Sequence, residues 1–184
     1  DFMYIRGFDL IYTDLNCYIE EDLPSLAALG VPVAFDFSNR WTDEYLKQVC
    51  PYIRIAIFSC AHLDRRRREE EMRKAEALGV KIVLATSGED GSHLLYHGRF
   101  YDTPAEKAEV VLDTVGAGDA YFAAFLCHIL KSSGEVSWDD GKAMLPILLE
   151  GMKRGAQFAA KIVGVEGAFG YSMPIAGRIM NNRI

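Results

Sequence analysis

Asp113-Thr114-Val115-Gly116-Ala117-Gly118-Asp119 is the stretch that decides how this chain is read. Upstream, Glu109-Val110-Val111-Leu112 predicts a short buried strand, and downstream Ala120-Tyr121-Phe122-Ala123-Ala124-Phe125-Leu126 predicts an apolar helix. The seven residues between them then form a helix N-terminus. Backbone N–H groups there have no intrahelical acceptor and the helix dipole adds partial positive charge, so an anion can be held without a basic side chain. Gly116 and Gly118 let the backbone approach such an anion closely, and Asp119 is placed to take a proton from a hydroxyl as it attacks. These are the requirements of phosphoryl transfer. Read alone, the same residues also fit a common glycine-rich turn with an aspartate complementing the helix dipole.

The rest of the chain narrows the class. Its 184 residues suffice for one domain with a real core, and half of them are hydrophobic while a quarter are charged. Twenty basic against twenty-six acidic residues give a formal charge of -6, which argues against a nucleic-acid surface held by general electrostatics. Cys17, Cys50, Cys60 and Cys127 are irregularly spaced, with no C-x-x-C and no zinc-finger histidine, so reduced thiols and a cytoplasmic location are expected. No apolar run approaches the roughly 18 to 20 residues that span a bilayer, and no secretory leader opens the sequence. The start at Asp1-Phe2-Met3-Tyr4-Ile5, which reads as mid-helix and has no initiator methionine, suggests a processed, truncated or fragmentary chain.

Apolar runs alternate with amphipathic stretches. Strands are expected over residues 9–13, 31–37, 53–58, 80–86 and 109–112, and helices over 19–29, 42–49, 64–78, 119–131 and much of 139–163. The near-continuous apolar strands and their β-α-β order predict a single domain with a parallel sheet covered on both faces. Residues 93–96 and 99–101, separated by His97-Gly98, predict a hairpin at the sheet edge. Ligands bind such sheets outside the carboxyl ends of the strands. One loop there, Thr86-Ser87-Gly88-Glu89-Asp90-Gly91, reads either as a phosphate or ribose contact or as a tight polar turn. Arg65-Arg66-Arg67-Arg68-Glu69-Glu70-Glu71 reads as a solvated helix face laced by i,i+4 pairs rather than an anion patch. His62, His93, His97 and His128 have no spacing that suggests a metal site or a relay.

The opening run, together with the Ala/aromatic helix after it, resembles the C-terminal signature of the PfkB (ribokinase-like) family of sugar and nucleoside kinases. The resemblance covers nearly the whole chain but only the later part of a family member. It implies a ribokinase-like three-layer α/β/α fold with a mostly parallel sheet, lacking the N-terminal strands and the lid that covers the sugar. It also implies transfer of the γ-phosphoryl group of ATP to a hydroxyl, with magnesium bridging the phosphates. On that resemblance Asp119 is the general base, and the amides of Gly116, Ala117 and Gly118 form the anion hole. Thr86, Gly88 and Gly91, in a loop similar to the family's Thr-x-Gly-x-x-Gly, would contact the nucleotide with Thr114 and Val163. Asp14 and Asn16 lie where family members contact the sugar, although Asn16 reads equally as a cap for the following helix. Asp113, Gly167 and Ser172 would ligate an activating monovalent cation, potassium being the candidate. The implied partners are a small sugar and ATP, without nucleic acid or membrane, and with a homodimer as the assembly to test.

Within the family, Ala34-Phe35-Asp36-Phe37-Ser38 followed by Trp41, and a strand ending in Phe58-Ser59, look most like fructoselysine 6-kinases. One departure concerns magnesium. Many relatives carry Asn-x-x-Glu after the third strand, where this chain reads Ser59-Cys60-Ala61-His62 with Asp64 the nearest carboxylate. Another sugar or nucleoside kinase, or a non-catalytic nucleotide-binding relative, is the alternative. A Rossmann dehydrogenase is disfavoured because no G-x-G-x-x-G follows the first strand.

Overall fold

A sheet of six strands organises the chain, and their order across the sheet is their order along the sequence. The computed structural model describes residues 2–134, 136–167 and 169–170. Strands β1 (Ile11–Asp14), β2 (Val33–Asp36), β3 (Ile55–Ser59) and β4 (Ile82–Thr86) run parallel, whereas β5 (Ser92–Tyr96) and β6 (Arg99–Thr103) continue the sheet as an antiparallel hairpin. His97 and Gly98, at φ 48° and 71°, supply the two positive-φ residues that a tight hairpin turn requires. A short α1 (Phe2–Ile5) opens the described chain.

Helices α2 (Leu23–Ala27), α3 (Asp43–Val49) and α4 (Arg65–Ala77) connect the parallel strands. Right-handed crossovers that always step the same way across a sheet leave their helices on one face. That face is lined by Val33, Phe35, Ala56, Phe58, Val83, Ala85 and Leu95, which bury Leu23, Leu46, Val49, Met72 and Ala75 from the three helices. The alternate strand residues Ala34, Ile55, Ile57, Ile82, Leu84 and Leu94 point the other way. They are covered by α5 (Ala117–Ser133) and α6 (Gly141–Ile162), which pack against each other through Tyr121 and Phe125. Gly151 and Gly155 permit that contact, because a Cβ at either would meet those rings at 3.0 Å or less. Phe58 is fully buried between Phe37, stacked at 4.9 Å, and Trp41 at 4.8 Å. Burial of a side chain of that size contributes about 2–3 kcal/mol.

Capping fixes several helix starts. Thr42 accepts from the Tyr45 amide, Asp64 from Arg67, and Asp140 from Lys142 and Ala143. Two expectations fail. Residues 109–112 form no strand: Val110, Val111 and Leu112 are 56–64% exposed, and the Leu112 amide donates to the Val163 carbonyl at the end of α6. The apolar run has no neighbouring strand to pair with among the described residues, and tertiary context overrides its propensity. The helix expected over 19–29 shrinks to Leu23–Ala27, with Asp22 at its N-cap and Pro24 in its first turn. Asn16 therefore caps no helix.

Candidate active site

The carboxyl ends of β1 and β2 lie side by side, with Asp14 registered against Asp36. The Tyr12 hydroxyl donates to Asp36 Oδ2 at 3.4 Å, and the Ser38 amide donates to Oδ1 at 2.6 Å. Asp36 is buried, and this loss of solvent lifts its carboxyl from 3.8 to about 6 against the lowering effect of the Ser38 amide; the charges of Asp119 and Asp14 push it further up. Burial raises the Tyr12 phenol as well, with the Asp36 and Asp119 charges adding to the effect. Asp14 Oδ1 accepts from the Asn16 amide at 2.6 Å, and Arg40 reaches Asn16 Oδ1 at 2.9 Å. The two expected sugar contacts thus fall in one cluster with Tyr12, Asp36 and Arg40, none of which the sequence singled out as site residues. A signal existed for Asp36: it is a carboxylate inside the apolar run Val33-Ala34-Phe35-Asp36-Phe37.

Asp119, in the first turn of α5, is near enough for its charge to help raise both the Asp36 carboxyl and the Tyr12 phenol. Gly116 is the N-cap at φ 78°, a conformation that suits glycine, which makes Asp119 the third helical residue. Of the three amides expected to form an anion hole, that of Ala117 is turned onto the Thr114 carbonyl at 3.2 Å. Those of Gly116 and Gly118 have no backbone acceptor among the described bonds. The run does not leave a strand, as the sequence suggested. It leaves an exposed segment tied to α6, with Val163 accepting from the amides of both Leu112 and Asp113.

Asp113 joins two distant stretches. Its Oδ1 accepts from Val115 at 3.0 Å and its Oδ2 from Gly167 at 3.1 Å, and these backbone bonds lower its pKa. The pair expected at a cation site is therefore brought together, and Ser172, the third expected ligand, lies outside the described residues. The Thr86 loop stands at the carboxyl end of β4. Its Ser87 amide donates to the Gly91 carbonyl at 2.8 Å, which closes a tight loop with Gly88 at φ 57° and Gly91 at φ 90°. A Cβ on Gly91 would come within 2.2 Å of the Thr103 carbonyl, so this loop is pressed against the end of β6. The Thr86 carbonyl accepts from the Cys60 amide at 2.7 Å, which links the loop to the one after β3. No group of three or more His, Cys, Asp or Glu side chains is arranged to hold a metal among the described residues.

The arrangement therefore puts a carboxylate in the first turn of a helix next to two amides that have no acceptor among the described residues. Comparison with known proteins agrees in both sequence and shape. The sequence profile described as pfkB family carbohydrate kinase matches residues 1–169. Fructosamine kinase FrlD of Bacillus subtilis (strain 168) is 38% identical over 174 residues, covering 95% of this chain and 56% of that protein. Fructoselysine 6-kinase of Escherichia coli (strain K12) is 29% identical over 169 residues, covering 92% and 59%. The chain thus spans a little over half the length of these curated relatives. Among solved structures, Arabidopsis thaliana ribokinase complexed with ribose and ATP superposes with a TM-score of 0.73 at 22% identity, covering 91% of this chain and 54% of that one.

Proposed function

Because the chain belongs to the pfkB family of carbohydrate kinases, we propose that the whole protein transfers the γ-phosphoryl group of ATP to a hydroxyl of a small sugar derivative of the fructosamine or fructoselysine type. The observation that carries this reading is Asp119 in the first turn of α5, next to the Gly116 and Gly118 amides that have no acceptor among the described residues, and near enough for its charge to reach Asp36 and Tyr12. The acceptor sugar lies against that cluster. Asp119 takes the proton of its attacking hydroxyl, and the amides at the α5 N-terminus hold the charge that develops on the transferred group. Asn16, fixed by Arg40, and Asp14, fixed by the Asn16 amide, orient the sugar.

The nucleotide lies between the loop of Thr86, Gly88 and Gly91 and the segment of Thr114 and Val163. The exposed side chains of Val110, Leu112 and Val165 offer apolar surface for a purine there. Magnesium would neutralise phosphate charge and would be held mainly by the nucleotide's own oxygens, since no group of three or more His, Cys, Asp or Glu side chains among the described residues is arranged to cage it. Asp113 accepts backbone bonds from Thr114, Val115 and Gly167 and keeps one of its four lone pairs, which suits it to a monovalent cation such as potassium. The test is ATP turnover by the intact protein with a panel of ketosugars and fructosamines, fructoselysine included. Asp119→Asn should bind ATP as the wild type does and turn over at least about a hundredfold more slowly. A wild type that binds ATP but phosphorylates no acceptor, or a variant as fast as the wild type, would overturn the mechanism.

A further inference from the structure

Behind the Thr86 loop, on the α4 face of the sheet, one arginine departs from the solvated charge run to which it belongs. Arg65 and Arg66 pair with Glu69 and Glu70 in solvent, as that run predicts. Arg68 is instead only 6% exposed, and its Nη1 donates to Ser87 Oγ at 3.1 Å. Ser87 is itself buried and is the post on which the loop closes: its amide reaches Gly91 and its carbonyl accepts from Asp90. Arg68 Nε has no partner among the described residues, and neither has Nε2 of the buried His93. Both residues line a cavity of about 440 Å³ beneath the loop, together with Asp90, Thr103 and Pro104. The far wall is held by His93 Nδ1 against Asp102 Oδ1 at 2.8 Å, with Arg65 at 3.6 Å from the other Asp102 oxygen.

A buried guanidinium with one neutral partner costs stability, and an apolar side chain of similar volume would fill the same space at lower cost. Packing alone therefore does not account for it. We propose that Arg68 is a positioning residue: through Ser87 it holds the Thr86 loop in the shape that receives the nucleotide phosphates. It touches no substrate, and its effect passes through the hydroxyl of Ser87. This inference rests on the nucleotide reading of the loop.

The experiment measures ATP binding by calorimetry, and KM and kcat for ATP and for the sugar, on the intact protein. Arg68→Met should weaken ATP binding roughly tenfold, a usual size for coupling between linked sites, with kcat and the KM for sugar within about twofold. Ser87→Ala should act in the same direction, and the double variant should be no worse than the poorer single one, because both remove one bond. Arg68→Lys, which keeps a donor but loses the planar fork, should recover part of the loss. If Arg68→Met does not fold, Ser87→Ala decides alone. Unchanged ATP affinity in the foldable variants, an equal loss for ATP and sugar, or additive single effects would overturn the inference while leaving the kinase reading intact. Failure of the wild type to bind ATP would instead remove the kinase reading, and the inference with it.

Discussion

Replacing Asp36 by asparagine should make the protein more stable at neutral pH, although the replaced group lies in the proposed active site. Burial and the nearby carboxylates raise this carboxyl from 3.8 to about 6. Because the folded-state value is the higher one, the folded protein holds this proton more tightly than the unfolded chain does. The stability it contributes is complete below about pH 4 and is lost as pH rises through about 6. At 1.36 kcal/mol per pH unit, the ionised carboxylate costs the fold about 3 kcal/mol above that window. Asparagine keeps the oxygen that accepts from Ser38 and presents an amide to Tyr12, so it loses the charge and little else. Urea unfolding of both proteins between pH 4 and 8 should give curves that coincide near pH 4 and diverge until Asp36→Asn is about 3 kcal/mol more stable at pH 8. Equal stability at pH 8, or a variant less stable throughout, would refute the assignment of a costly buried charge. The wild-type protein tolerates that cost at a site where a poised carboxylate is useful.

Gly91→Ala places a Cβ 2.2 Å from the Thr103 carbonyl at a φ of 90°, so thermal unfolding should show a loss of at least about 2 kcal/mol, and ATP affinity should fall with it. Tyr121→Phe removes the 2.7 Å bond from the Tyr121 hydroxyl to Ser92 Oγ inside the core; leaving Ser92 without that partner should cost about 1–2 kcal/mol in denaturant titration, and an unchanged midpoint would count against that bond. Asp113→Ala frees the amides of Val115 and Gly167 at once, so hydrogen exchange at these two amides should quicken while the sheet stays protected; uniform exchange across the chain would argue against a local tie.

The sequence carried the parts of the fold whose cause is local. The runs around Phe35, Ile57 and Leu84 read as strands buried on both faces, and the two cores confirm that reading residue by residue. His97-Gly98 announced the hairpin, and the helix starts expected at Thr42, Asp64 and Asp139 fall within two residues of the observed ones. Residues 109–112 misled because their apolar pattern resembles a strand, while only a pairing partner makes one. Asp119 and the amide-rich helix start were legible, since both follow from a seven-residue run. The roles of Asp36 and Arg68 were not, because each depends on what distant elements bring to it: Tyr12 and Asp119 to the first, Ser87 to the second. A charged residue in a run of like neighbours gives no sign in the sequence that it alone turns inward.

Because the strands stand in the sheet in chain order, each can add to an edge that its predecessor has just formed, and every pairing closes a modest loop. Asp119 follows β6, on a helix that has a surface to lie on only when that sheet exists. The Thr86 loop after β4 is therefore expected to take shape earlier than the helix that carries Asp119. During synthesis, a chain that has emerged as far as the hairpin would carry that loop without Asp119, so the proposed site is complete only after α5 docks.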